Sequence, residues 1–418
     1  MKIPTPNSSV RDMGKTVFKS KNAYFDLVQN GTREMIDLWM YNFARNISDI
    51  LDGNSVRLQS VFKNNSKSTK NHKPNNSAIV IGAGIIGLAI GYKLSRQYEN
   101  VLLIEKESTF GRHVSSRNSE VIHSGIYYEP DSLKASYCKR GRERIYDFCS
   151  TNHVWMNKCG KLIVAKTHQI AELEALNKNA EINGIQDVRI IDKKEIQHLE
   201  QNVDADLALY VSCAGIVSAH GLMTAFYKHS QTNDHDYLFK SRVVGAKQLS
   251  EGYELEIENA NGEIEQVSCD WVINASGLES DLVAQMLGEN FPSLKYSKGC
   301  YFKLGSKWRN VFKHLIYPLP DKAHGSLGIH LTLDETQSVK LGPSAHWIDR
   351  RKENYDVEPS LIDQFYNEGK LYIKDLQKDD LSPDYAGIRP KIWMNDNPMP
   401  DFYISHEEDK GYPGWINL

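Results

Sequence analysis

The stretch Ala78-Ile79-Val80-Ile81-Gly82-Ala83-Gly84-Ile85-Ile86-Gly87 decides the fold class. Four apolar residues make a short run that suits a strand buried on both faces. A Gly-x-Gly-x-x-Gly turn comes next, and the apolar texture continues to Tyr92 as a helix would. In such a unit the first glycine, Gly82, permits the tight turn. Gly84 lets the backbone approach a pyrophosphate, Gly87 lets helix and strand pack closely, and the helix N-terminus faces the phosphate charge. Gly91, one helical turn on, widens the close-packed face. A second strand at 101–104 runs into Glu105, which stands 18 positions after Gly87. That is near the roughly 20 expected of an acid that holds a ribose. The spacing predicts an α/β, Rossmann-like dinucleotide site, with NAD and FAD both open at this point.

The rest of the chain narrows the class. Its net charge of −3 leaves no general case for nucleic acid as a partner. Six scattered cysteines without a Cys-x-x-Cys pattern argue against a disulfide framework or a zinc site and suit a reducing compartment. No metal site is expected. The most apolar run, 78–92, carries four glycines and stops at Lys93, well short of the about 20 residues a membrane span needs. Residues 1–77 read as an extension and linker that is poorly ordered, with one amphipathic helix near 33–51, where Ile36, Met40, Phe43 and Ile47 recur at helical spacing. The linker Asn64-Asn65-Ser66-Lys67-Ser68-Thr69-Lys70-Asn71 has too little apolar surface to order itself. No secretory signal is visible, and Asp12, Asp26, Glu34 and Asp37 argue against a clean mitochondrial presequence.

Beyond the second strand the pattern predicts helices at 132–149 and 170–183, a strand at Lys161–Ala165, and strands across 242–275 with Asn261-Gly262 as a hairpin turn. Alternating stretches between 298 and 347 read as further strands. Between these lies Gly111-Arg112-His113-Val114-Ser115-Ser116-Arg117-Asn118-Ser119-Glu120-Val121-Ile122-His123-Ser124-Gly125-Ile126-Tyr127-Tyr128, polar, punctuated by glycine and without a helical pattern.

This loop resembles the signature of the FAD-dependent D-amino-acid-oxidase-like superfamily, and more narrowly of its L-2-hydroxyglutarate dehydrogenase/oxidase branch. The motifs Cys159-Gly160-Lys161-Leu162-Ile163-Val164-Ala165, Lys298-Gly299-Cys300-Tyr301-Phe302 and Leu315-Ile316-Tyr317-Pro318 succeed one another in the branch's order. So do Gly328-Ile329-His330-Leu331-Thr332-Leu333-Asp334, Gly342-Pro343 and Asp384-Tyr385-Ala386-Gly387-Ile388-Arg389-Pro390-Lys391. In Gly215-Ile216-Val217-Ser218-Ala219-His220 the branch usually has Asp-Ser-His, so Ser218 and Ala219 are departures. After an Ile-Asn-Leu like Ile416-Asn417-Leu418 the branch continues into a Gly-Ile-Glu-Ser-Pro-Gly-Leu-Thr run that helps close the flavin site. The resemblance therefore leaves two expectations open: a truncated gene model, or a natural product with impaired flavin retention.

The resemblance implies an FAD-binding domain in three parts (78–157, 206–290 and a truncated 381–418) and a mixed β-sheet substrate domain in two (158–205 and 291–380). It implies FAD as cofactor, a small dicarboxylate substrate, and oxidation of L-2-hydroxyglutarate to 2-oxoglutarate. Oxygen or a quinone would take up the electrons, and a peripheral membrane association is left open. A mitochondrial setting is implied for a eukaryotic source, a cytoplasmic one otherwise. Two alternatives stand beside this reading: a relative acting on another small hydroxy or amino acid, and a truncated, inactive flavoprotein.

The chemistry needs a proton acceptor for the hydroxyl, partners for two carboxylates and exclusion of water. His330, on an alternating strand, and His123, in the polar loop, are the candidate bases. Arg389 is the candidate carboxylate clamp, since a guanidinium can hold a carboxylate bidentately. Lys298, Tyr317 and Thr332 are further substrate candidates. For the cofactor the candidates are Gly82, Gly84, Gly87, Glu105, Ser116, Asn118, Ser119 and Gly277.

Overall fold

The computed structural model describes residues 77–418 apart from 97–99, 232–234, 289–290, 320–327, 349–352 and 395–396. The extension expected at 1–77, with its helix near 33–51, lies outside the described residues except for Ser77. Two sheets organise the described chain. The first has six strands in the order Ser405–His406, Trp415–Asn417, Trp271–Asn274, Ala78–Ile81, Val101–Glu105 and Asp236–Phe239. All its pairings are parallel except the outermost, Ser405–His406 with Trp415–Asn417. Ala78–Ile81 lies at its centre and is buried throughout, as its unbroken apolar run requires.

The chain leaves that central strand through the glycine turn. Gly82 has φ +103°, and a Cβ there would meet the Ala275 carbonyl oxygen at 2.6 Å. At Gly87 a Cβ would fall 1.9 Å from the carbonyl oxygen of Gly82 itself, so the helix Ile85–Leu94 can sit on the turn only without a side chain at this position. The helix Ala219–Gln231 packs against it. A three-stranded antiparallel sheet, Arg242–Gln248, Tyr253–Glu258 and Ile264–Cys269, shares a core with the first sheet through Leu255, Ile257, Val272 and Trp415. The hairpin expected at Asn261-Gly262 joins the second and third of these strands.

The second sheet is large and mixed. Its main path runs Asn397–Pro398, Leu381–Met394, Ser293–Leu304, Val339–Gly342, His330–Leu333, Leu315–Pro318, Lys161–Ala165, Leu207–Val211 and Val188–Asp192. Lys161–Ala165 pairs parallel with Leu315–Pro318 and antiparallel with Leu207–Val211. Two of the expected domain boundaries therefore move. Leu207–Val211, assigned from sequence to the dinucleotide side, completes a hairpin with Val188–Asp192 in the second sheet. Leu381–Met394, likewise assigned to the third FAD-binding part, pairs with Ser293–Leu304 along almost its whole length. Pro383, Gly387 and Pro390 break the strand pattern in the sequence, which disguised a 14-residue strand.

The helix at 132–149 begins where expected, with the Ser132 hydroxyl accepting from the Ala135 amide at 3.1 Å, and runs on to Asn152. Because the Gly87 contact leaves no room for a methyl group, Gly87→Ala is expected to destabilise the protein by about 1–3 kcal/mol. It should also lower the flavin retained on purification. A variant with parental melting temperature and absorbance at 450 nm relative to 280 nm would contradict this packing.

Candidate active site

A cavity of about 450 Å³ opens at the C-terminal end of the first sheet, lined among others by Gly82, Gly84, Glu105, Ser115, Asn118 and Gly277. That is where an open parallel sheet binds ligands, and the size suits a cofactor. Glu105 is 8% exposed and holds the turn in shape: its carboxylate accepts from the Ala83 amide at 2.7 Å and the Glu107 amide at 2.9 Å. The Ser115 hydroxyl accepts from the Ile85 amide at 2.9 Å, at the first turn of the glycine-rich helix. Gly277, at φ +61° just past the buried strand Trp271–Asn274, borders the opposite wall.

The polar loop is built by its own side chains. Asn118 Nδ2 donates to the carbonyls of Val114 at 3.2 Å and Ser115 at 2.9 Å, while its Oδ1 accepts from the Glu120 amide at 2.8 Å. Ser116, expected at the cofactor, turns its hydroxyl onto the Gly111 carbonyl instead. Its neighbour Ser115 takes the place on the cavity wall, since the short 3-10 turn Val114–Ser116 points successive side chains in different directions. Ser119 bonds the Tyr301 hydroxyl at 2.8 Å, and Tyr385 donates to the Asn118 carbonyl at 2.6 Å, so the loop is fastened to the second sheet. Ser218, a departure from the family pattern, works as a helix cap: its hydroxyl accepts from Gly221 at 3.2 Å, and Glu120 accepts from the Ala219 amide at 2.8 Å.

Across the loop, the second sheet gathers a separate cluster. His330 is 4% exposed and lies face to face with Tyr317, with ring centroids 3.8 Å apart. Its Nδ1 is 3.1 Å from the Gly328 carbonyl oxygen, which can only accept, so Nδ1 carries the proton and Nε2 the lone pair. Burial, reinforced by nearby Lys161, holds His330 well below the usual imidazole range. The same two causes bring His123 down to about 3. Both rings are therefore neutral near pH 7.

Thr332 is buried two residues along the strand from His330, on the same face by strand periodicity. Arg389 donates from Nη2 to the Ser344 carbonyl at 3.2 Å; its Nε is buried without a hydrogen bond, and burial lowers its pKa. Lys298 does not join the group, for its ammonium turns to Asn354 Oδ1 at 3.5 Å on the exposed side.

Lys161 was missed by sequence reasoning. Reading Lys161–Ala165 as an ordinary strand hid the fact that the lysine leading it is fully buried. The signal was the lysine itself, at the head of an otherwise unbroken apolar run. No metal was expected from sequence. Among the described residues Glu107, His113 and Glu353 come together, but Lys106 Nζ already pairs with Glu353 at 3.1 Å and Glu279 at 3.0 Å.

Residues 77–417 match the family model described as FAD dependent oxidoreductase, and the chain belongs to that family, whose cofactor is FAD. Among curated relatives, the mitochondrial L-2-hydroxyglutarate dehydrogenase of Arabidopsis thaliana is 33% identical over 380 residues, covering 81% of this chain and 78% of that protein. L-2-hydroxyglutarate dehydrogenase of Escherichia coli strain K12 is 33% identical over 272 residues, covering 64% of this chain and 63% of that protein. The chain thus matches less than two thirds of the bacterial relative's length. In fold it resembles L-alpha-glycerophosphate oxidase from Mycoplasma pneumoniae, solved with FAD bound, with a TM-score of 0.74 at 22% identity over 82% of this chain and 88% of that one. Among the described residues no helix is long and apolar enough to cross a membrane.

The residues present fit FAD. A glycine turn that admits no Cβ, a helix N-terminus and a buried acid all border the same cavity. Glu105→Ala removes a charged acceptor from two backbone amides, a change worth about 1.5–3 kcal/mol for each such bond. FAD is expected to bind at least about tenfold more weakly. Calorimetric titration of the apoprotein with FAD checks this, and an unchanged dissociation constant would show that Glu105 does not shape the site.

Proposed function

We propose that the chain oxidises L-2-hydroxyglutarate to 2-oxoglutarate. One observation carries the reading beyond the family: a neutral histidine with a free Nε2 is buried near a guanidinium that no described carboxylate neutralises. The first is a proton acceptor and the second an anion clamp, the two groups that oxidation of a 2-hydroxy acid requires. The activity that names the plant and bacterial relatives supports the same substrate.

FAD, when bound, supplies the acceptor for the hydride that leaves C2. The protein does the rest. Arg389 holds a carboxylate and orients the hydroxyl toward His330. His330 takes the hydroxyl proton at Nε2, while its Nδ1–H stays on the Gly328 carbonyl and keeps the ring from turning. Free of substrate, His330 is a poor base because burial and nearby cations disfavour its charged form. A bound carboxylate offsets those cations, so the imidazole becomes basic when substrate is in place. His123, Ser116, Asn118, Ser119, Tyr317 and Thr332 are assigned supporting roles in shaping the site. For a eukaryotic source, the names of the plant and bovine relatives favour a mitochondrial setting.

The test is anaerobic titration of the FAD-loaded chain. L-2-hydroxyglutarate should bleach the flavin band, and its D-enantiomer, glycerol 3-phosphate and small amino acids should not. Bleaching by one of the latter alone would reassign the substrate. In the same assay His330→Asn is expected to lower the rate of bleaching by about 10²–10⁴-fold. The substrate concentration for half-maximal rate should change little, and a rate within a factor of three of the parent would remove His330 from the reaction.

A further inference from the structure

The least expected group in the second sheet is Lys161. Its side chain is fully buried, and Nζ has no hydrogen-bond partner among the described residues. Nζ lies 3.9 Å from the centroid of the Tyr317 ring and 5.5 Å from that of Tyr127. The hydroxyls of these two tyrosines are also buried without a described partner. An ammonium over two aromatic faces is attracted by them, but aromatic faces do not supply the counter-charge a buried ion needs.

The groups that act on Lys161 come from several elements around it. They are Cys159 before its own strand, Cys138 on the helix Leu133–Asn152, Cys213 in the turn after Leu207–Val211, Tyr127 and His123 in the polar loop, Tyr317, and His330. None is a carboxylate. The same histidine, His330, also feels Arg389, a half-buried cation whose Nε is buried without a hydrogen bond and which has no described carboxylate partner. Two cations therefore act electrostatically on one proton acceptor.

We infer that Lys161 binds one carboxylate of a dicarboxylate substrate while Arg389 binds the other, making the site selective for dianions over monocarboxylic acids. The inference rests on the hydroxyglutarate reading and adds to it a residue that the sequence did not mark. It also supplies the reason Lys161 is left unpaired in the folded chain: the partner arrives with the substrate. Burial brings the free amine down to about 7, so it is half protonated near neutrality and is pulled fully into its charged form by a carboxylate.

The test uses the full FAD-loaded chain and two unreactive probes, glutarate and butyrate, which differ by one carboxylate. Binding is read from the perturbation of the flavin spectrum. The parent chain should bind glutarate at least about 30-fold more tightly than butyrate, the scale of a buried charge pair. In Lys161→Met that ratio should fall to near one. The variant should keep its flavin and melt no lower than the parent, because methionine takes up similar volume without the desolvation cost. A ratio within threefold of the parent's would overturn the role of Lys161. A parent chain that does not distinguish the two probes would overturn the dicarboxylate reading itself.

A second readout needs no variant. Between pH 7 and about 8 His123, near 3, and His330, held below its usual range, stay neutral. Cys159, pushed up to about 11, and the other thiols and tyrosines, also raised by burial, keep their protons. Of the groups facing it, Lys161 alone changes charge in this window. Its pKa rises on binding, so glutarate affinity should fall by up to about tenfold per pH unit, with uptake of a proton. Affinity independent of pH over that range would contradict the assignment.

Discussion

At Gly387 the strand Leu381–Met394 passes so close to the backbone of Arg117 that a Cβ would meet its carbonyl oxygen at 2.1 Å. That contact, with the Ser119–Tyr301 and Tyr385–Asn118 hydrogen bonds beside it, fixes the polar loop between the two sheets. The loop in turn lines the cofactor cavity on one side through Ser115 and Asn118. On its other side it carries His123 toward Lys161. The tyrosine pair that clamps it is itself stacked, with ring centroids 4.4 Å apart, so the join is stiff and not merely close. The cofactor cavity and the cluster of His330 and Lys161 are thus set relative to one another by a backbone approach that only glycine permits.

The second constraint is electrostatic. Moving a cation out of water costs on the order of several kcal/mol even after relaxation, and a lone one is rarely kept. The second sheet keeps both Lys161 and Arg389 without described acidic partners, while its other lysine–acid pairs, such as Lys340 with Asp334 at 3.2 Å, are made in the ordinary way. Stability foregone at two such positions next to a neutral histidine points to function. In the proposed reaction, binding and catalysis would share one event: the anion that satisfies the cations would also remove what held the histidine neutral.

The sequence made the first sheet legible and the second much less so. Ala78–Ile81, the glycine turn and Val101–Glu105 are local features whose spacing has a mechanical meaning, and they stand where the spacing placed them. Leu381–Met394 was hidden by two prolines and a glycine, and Leu207–Val211 by its distance from the strands it joins. Site residues divide the same way. Glu105 and the glycines are set by sequence-local geometry, whereas Lys161, Tyr317 and His330 meet only because three strands lie side by side. Ser115 and Ser116 show the limit of resolution, since one residue's difference in direction separates the cavity wall from an internal hydrogen bond. Lys298, on a neighbouring strand, had the right chemistry and the wrong face.

The most direct measurement is a structure of the FAD-loaded chain with 2-oxoglutarate bound. One carboxylate should lie within hydrogen-bonding distance of Lys161 Nζ and the other on the Arg389 guanidinium, with the C2 oxygen at Nε2 of His330. A ligand that leaves Lys161 against the rings of Tyr317 and Tyr127 with no carboxylate beside it, or that sits away from His330, would contradict the account.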